Sequence, residues 1–193
     1  MKELLINPFK NYSEKKLLLS GIIGTLLLVL LCFVFNTLII GNLKIIFLDK
    51  ILLKNAIITN AIIIIITTSG CYILGKIKNR KTRVIDILNA VLISRIPFCI
   101  FPLLNVNNQF YEISERIKKS LIIAQDEKMI SADVIAVLIL SIPTIFGLVW
   151  SFRLLYNGFK IATNTTGQKS LLHFIITILI IEILTRTIIS NFL

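Results

Sequence analysis

The stretch LLLSGIIGTLLLVLLCFVFNTLIIGNL, residues 17–43, decides the fold, because no charged side chain interrupts it. A helix rises 1.5 Å per residue, so about 20 apolar residues suffice to cross a hydrocarbon core about 30 Å thick. Ser20, Gly21 and Gly24 give this first span a small, flat patch. Lys15 and Lys16 precede it as in a signal peptide, but the run is longer than a signal h-region and lacks a small-x-small cleavage site. It is therefore expected to be a retained span, about 17–40.

The same criterion picks out further spans along the chain. Residues 55–75, NAIITNAIIIIITTSGCYILG, carry no charge and include the five isoleucines Ile62 to Ile66. Residues 133–156 hold an apolar run with Pro143 and Gly147 at its centre and Trp150 and Tyr156 at an interfacial belt. Residues 85–104 are compromised by Arg95, Pro97 and Pro102. Even so, the Leu, Ile, Val and Phe residues there, at about −0.5 kcal/mol each, outweigh an arginine at about +3 kcal/mol. Residues 171–191 insert on the same reasoning, provided Glu182 finds a partner. The expected fold is all-α, a polytopic transmembrane bundle of five spans forming a single membrane domain over residues 1–193.

Between spans three and four, Asn105, Asn107 and Asn108 mark a turn. Phe110, Ile113, Ile117 and Leu121 then recur at helical spacing among charged residues, which predicts an amphipathic helix on the membrane surface or packed on the bundle.

Composition agrees with a lipid solvent: 56% of the 193 residues are apolar, 16% are charged, and mean hydropathy is +0.89. The net charge of +11 falls mainly in short gaps between apolar runs, where anionic headgroups are the natural counterion; nucleic acid is excluded as a partner. With the N-terminus cytoplasmic, the inner loops carry more Lys and Arg than the outer ones. The cluster Lys76, Lys78, Arg80, Lys81 and Arg83, free of acids, is the strongest signal. It is the expected headgroup-binding loop. The glycosylation-like tripeptides Asn11-Tyr12-Ser13 and Asn164-Thr165-Thr166 fall on that cytoplasmic side and are discounted.

Cys32, Cys71 and Cys99 lie far apart inside apolar runs, and the one histidine, His173, cannot complete a zinc site, so neither metal nor cofactor is expected. No G-x-S-x-G, H-E-x-x-H or Walker loop occurs. An enzyme is not expected. Charged groups at mid-membrane are functional candidates by default, and Arg95 and Glu182 are the two here. They lie at matching depth in spans that run the same way, so an ion pair between them is allowed. Arg186, four residues after Glu182, is an alternative partner within one helix. Pro97 and Pro102 free the carbonyls of Ile93 and Phe98 and, with Pro143, mark helix breaks of the kind carriers use to build midplane sites.

Several local features occur in a telling order between the spans. Asn7-Pro8-Phe9-Lys10 precedes span one; Lys81-Thr82-Arg83 leads into span three, with Ile96-Pro97 inside it. Trp150 to Lys160, ending Asn157-Gly158-Phe159-Lys160, closes span four, and Gly167-Gln168-Lys169-Ser170 opens span five. This arrangement resembles the Yip family, five-pass membrane proteins named for binding Ypt/Rab GTPases in eukaryotes and with many bacterial members. The likeness covers nearly the whole chain. For eukaryotic members it implies vesicle traffic and membrane shaping through a long cytoplasmic N-terminal segment. Here only about sixteen residues precede span one, and heavy use of Ile, Lys and Asn points to a bacterial genome without Rab proteins. The expectation is a non-enzymatic, bacterial-type inner-membrane scaffold or membrane-organising protein. Its expected partners are anionic lipids and other membrane proteins or a second copy. The alternatives are a small-solute or ion carrier using Arg95 and Glu182, and an accessory subunit of a larger complex.

Overall fold

The computed structural model describes residues 7–123, 127–165 and 167–192. Five stretches are long and apolar enough to cross a membrane: Glu14–Val34, Leu53–Lys78, Val84–Lys119, Ala132–Thr163 and Gln168–Ser190. The protein is thus a helical, multi-pass membrane protein.

After a 3₁₀ turn at Pro8–Lys10, helix α1 runs from Glu14 to Val34. Its small patch is its contact with span three: a Cβ on Gly21 would lie 2.7 Å from the Leu92 side chain, and one on Gly24 2.7 Å from that of Ile96. α1 stops short of residue 40. Asn36 adopts a left-handed backbone (φ 49°), which asparagine tolerates, and the chain leaves the helix there. It forms an antiparallel hairpin, β1 (Thr37–Ile39) with β2 (Ile45–Phe47), pairing Leu38 opposite Ile46. The uncharged run 17–43 therefore holds one helix and half a hairpin.

Helix α2 (Leu53–Lys78) returns across the bundle, and α3 (Val84–Ser94) begins span three. Pro97 ends the α-helical pattern there. The chain continues as 3₁₀ turns over Ile96–Ile100 and Pro102–Asn108, each with a proline in its first turn. The expected asparagine turn is present, with Asn107 and Asn108 at φ 54° and 59°. The amphipathic helix α4 (Gln109–Ile123) packs against the start of α5 (Glu127–Thr163), and Arg116 grips Asp133 through two hydrogen bonds of 2.9 and 2.8 Å. Helix α6 (Gln168–Ser190) closes the bundle against α2.

One buried cluster, at the hairpin end, joins Leu28, Cys32, Leu38, Ile39, Ile63, Phe98 and Phe101. A second, towards the other end, centres on Phe174, whose ring meets those of Phe152, Tyr156 and Phe159. The outer sides of the long helices leave Leu26, Leu30, Leu138, Ile142 and Ile183 exposed, as a lipid-facing surface requires.

Candidate functional site

The polar centre of the bundle is built by the hairpin. Its tip, Gly41-Asn42-Leu43, meets Glu182 on α6, a residue only 4% exposed. Glu182 Oε2 accepts the backbone N–H of Asn42 at 2.6 Å and of Leu43 at 3.2 Å. Its Oε1 accepts from Arg186 Nε at 2.9 Å and lies 2.8 Å from Nη2. Gly41 makes the approach possible, because a Cβ there would sit 2.5 and 2.6 Å from the two carboxylate oxygens. On the other side the Asn42 amide donates to Thr67 Oγ1 on α2 at 3.1 Å, and Ile40 N–H closes the turn on the Lys44 carbonyl at 3.0 Å.

The tip lies deep. Glu182 is eight residues from the α6 end at Ser190, about 12 Å, and Thr67 is fourteen residues from the α2 start at Leu53, about 21 Å. In a core about 30 Å thick, that places Asn42 near mid-membrane. The hairpin is therefore re-entrant: it dips from one face and returns to it. Non-helical backbone at that depth requires protein partners for its polar groups, and Glu182 supplies an anionic acceptor for two of them.

The hairpin base is held by asparagines. Leu48 N–H bonds the Asn36 carbonyl at 2.9 Å, and the Asn36 amide donates to Asn108 Oδ1 at 3.0 Å. Asn108 in turn donates to the Asp49 carbonyl at 3.1 Å. Fully buried Asn105 caps the Phe35 carbonyl at 2.8 Å and accepts from Tyr111 N–H at 3.0 Å. This network ties the end of α1, both hairpin legs and the start of α4 together.

Arg95 occupies a separate position. It is 1% exposed, donates from Nη2 to Asn60 Oδ1 at 2.9 Å, and lies 4.9 Å from the centre of the Phe98 ring. Its Nε and Nη1 have no hydrogen-bond partner among the described residues. Of the three sequence-derived candidates, Glu182 and Arg186 are brought together, and Arg95 joins neither within ion-pair distance. Of the two carbonyls freed by the prolines, that of Phe98 accepts from Phe101 N–H at 3.1 Å, and the Arg95 N–H at the helix end turns to the Ile93 and Leu92 carbonyls. The Ser94 carbonyl takes Ser151 Oγ at 2.6 Å. Pro143 lies inside α5.

In the basic loop, Lys76 bonds the Arg80 carbonyl at 2.8 Å, and Lys78 reaches His173 Nδ1 at 3.4 Å. Arg83 binds Glu14 and Asp86, each at 2.7 Å, and those contacts, the Asp86 hydrogen bond foremost, raise its already high pKa further. Arg80 and Lys81 are exposed. The three cysteines are free, and no cluster of metal-binding side chains occurs among the described residues.

The hairpin, Gly41, Thr67 and Asn60 were not singled out in the sequence. The available signal was the Gly41-Asn42 turn pair inside a run rich in Ile and Leu.

Five spans, a proline-broken third span and a proteinaceous polar centre define a polytopic α-helical membrane protein. The Yip1 domain matches residues 2–186, nearly the whole chain. The chain belongs to the Yip1-domain family. No curated protein and no solved structure matches it.

Proposed function

We propose that the protein is a non-enzymatic scaffold or membrane-organising component of the bacterial plasma membrane, with its N-terminus cytoplasmic. The supporting observation is the use made of Glu182. Its carboxylate is committed to Asn42, Leu43 and Arg186, all within the chain. A carrier site needs groups that can exchange an internal partner for a solute; this carboxylate holds the fold together instead. Exposed Arg80 and Lys81 offer the cytoplasmic surface cations for anionic headgroups. Other membrane proteins or a second copy are the expected assembly partners.

One observation favours the carrier alternative: Arg95 is a buried cation whose Nε and Nη1 are without hydrogen-bond partners among the described residues. The two readings separate on Arg95→Ala and Glu182→Gln. A scaffold loses stability or co-purifying partners, and proteoliposomes show no sodium, potassium, chloride or proton flux with either wild type or variant. Wild-type flux that disappears in variants of normal yield and stability overturns the scaffold reading.

A further inference from the structure

Two segments of one pattern, Asn7-Pro8-Phe9-Lys10 and Asn157-Gly158-Phe159-Lys160, are far apart in the sequence and meet in the fold. The 3₁₀ turn Pro8–Lys10 packs on α5. Phe159 is only 1% exposed, and Phe9 packs against the same buried cluster. Gly158 permits that approach, since a Cβ there would lie 2.9 Å from the Phe9 ring. With both rings turned inward, the spacing of three sets the Asn and Lys of each segment on one side, because three residues complete a 3₁₀ turn and positions i and i+3 are neighbours on an α-helix. Those four residues line a single cavity of about 360 Å³, with Asn164 and Thr165 just beyond the end of α5. Its size is within the range of small-ligand sites.

No carboxylate lines this cavity. Lys10 and Lys160 are exposed and enter no ion pair among the described residues. Glu14 and Asp86, in the adjoining cleft that shares Ile161, are both held by Arg83 at 2.7 Å. The end of α5 opposes an anion with about half a negative charge. Three of its last carbonyls are already capped, however: Asn79 Nδ2 donates to Thr163 at 3.1 Å, Asn164 N–H to Ile161 at 3.2 Å and Thr165 N–H to Lys160 at 3.3 Å. Two full positive charges therefore dominate the cavity.

We propose that this cavity binds a phosphomonoester, carried by a phosphatidic acid headgroup or by a soluble phosphoryl compound. Such a group bears about −1.5 to −2 charges and three acceptor oxygens, which matches two ammonium groups set among asparagine amides. A phosphodiester, with one charge, matches half as well. The cavity lies where α1 begins and α5 ends, at headgroup level. Unlike the diffuse attraction of Arg80 and Lys81, it discriminates among anions, and it does so whether the bundle acts as a scaffold or a carrier.

Native mass spectrometry tests the lipid source on full-length protein from mixed micelles holding equal amounts of phosphatidic acid, phosphatidylglycerol and phosphatidylcholine. Wild type should retain phosphatidic acid several-fold over the other two. Lys10→Gln combined with Lys160→Gln should remove that preference, while Lys15→Gln combined with Lys16→Gln, which deletes the same charge outside the cavity, should keep it. The soluble source is tested without added lipid: inorganic phosphate should raise the Tm of wild type above that in sodium chloride of equal ionic strength, and leave the Lys10/Lys160 double variant unmoved. A response in the first arm alone assigns the phosphoryl group to a lipid, and in the second alone to a soluble compound. No response in either arm, or the same loss in both double variants, overturns the proposal.

Discussion

Replacing Glu182 by alanine should unlock the re-entrant hairpin. Three groups lose their acceptor at once: the N–H of Asn42, the N–H of Leu43 and the guanidinium of Arg186. Each buried backbone donor left unpaired costs about 1–3 kcal/mol. Arg186 contributes less, because its side chain is 45% exposed and finds headgroups or water. The two donors together give about 2–6 kcal/mol, which brackets the about 3–5 kcal/mol typical of breaking a buried charge pair. For a chain of this size, about 2–4 °C of Tm accompanies each kcal/mol, so detergent-solubilised protein should lose roughly 4–24 °C. Glu182→Gln keeps an acceptor but not its charge, and about half that loss is expected, since charge-assisted hydrogen bonds are about twice as strong as neutral ones. Hydrogen exchange localises the effect: amides 42 and 43 should lose protection before those of α2 and α6. Gly41→Ala provides the cross-check. It forces the carboxylate away from the tip, so its cost should largely overlap with that of Glu182→Ala in a double-mutant cycle. A Glu182→Ala protein within about 0.5 kcal/mol of wild type, with amides 42 and 43 still protected, would refute the clasp, since surface-like changes fall in that range.

Other substitutions probe the remaining polar contacts. Ser151→Ala should cost about 1–2 kcal/mol in Tm-derived stability, because the Ser94 carbonyl beside the proline break loses its side-chain donor. Asn60→Ala should cost about 1–3 kcal/mol, because it leaves the Arg95 guanidinium without a hydrogen bond, whereas Arg95→Leu together with Asn60→Leu should be close to neutral; urea or thermal unfolding in micelles distinguishes them. Lys81→Cys should react with an impermeant maleimide only from the cytoplasmic side of oriented vesicles; labelling from the opposite side alone reverses the orientation.

Five crossings were readable because hydropathy needs only apolar length, and even the arginine-bearing third span passed on summed transfer energy. The small patch on α1 was readable too, since Gly21 and Gly24 leave room only if something approaches, and Leu92 and Ile96 do. The hairpin was hidden by the same property that revealed the spans. Thr37–Ile39 and Ile45–Phe47 are as apolar as the helix before them, and a hydropathy window is blind to whether apolar residues repeat every 3.6 or every 2 positions. The local cues were Asn36, which tolerates a left-handed backbone, and Gly41-Asn42. In an uncharged run each is a weak signal by itself.

The intramembrane charges show what depth matching leaves undetermined. Arg95 and Glu182 lie near the middle of spans that run in the same direction, but sharing a depth puts two residues together only if their helices are neighbours. Here α6 packs on α2, while α3 packs on α1, α2 and α5. Glu182 therefore answers to α2 and to what lies between them, and the hairpin tip fills that place. The tip's donors to Glu182 are main-chain N–H groups, present in every residue except proline and so invisible to a search for complementary side chains. The requirement that Glu182 have a partner was legible from its transfer cost, but the identity of the partner depended on a tertiary contact spanning 140 positions. The clasp also explains why a glutamate is suited to this position: one carboxylate can accept from both tip amides and from Arg186, whereas a serine or threonine hydroxyl lacks the reach and the charge to do so.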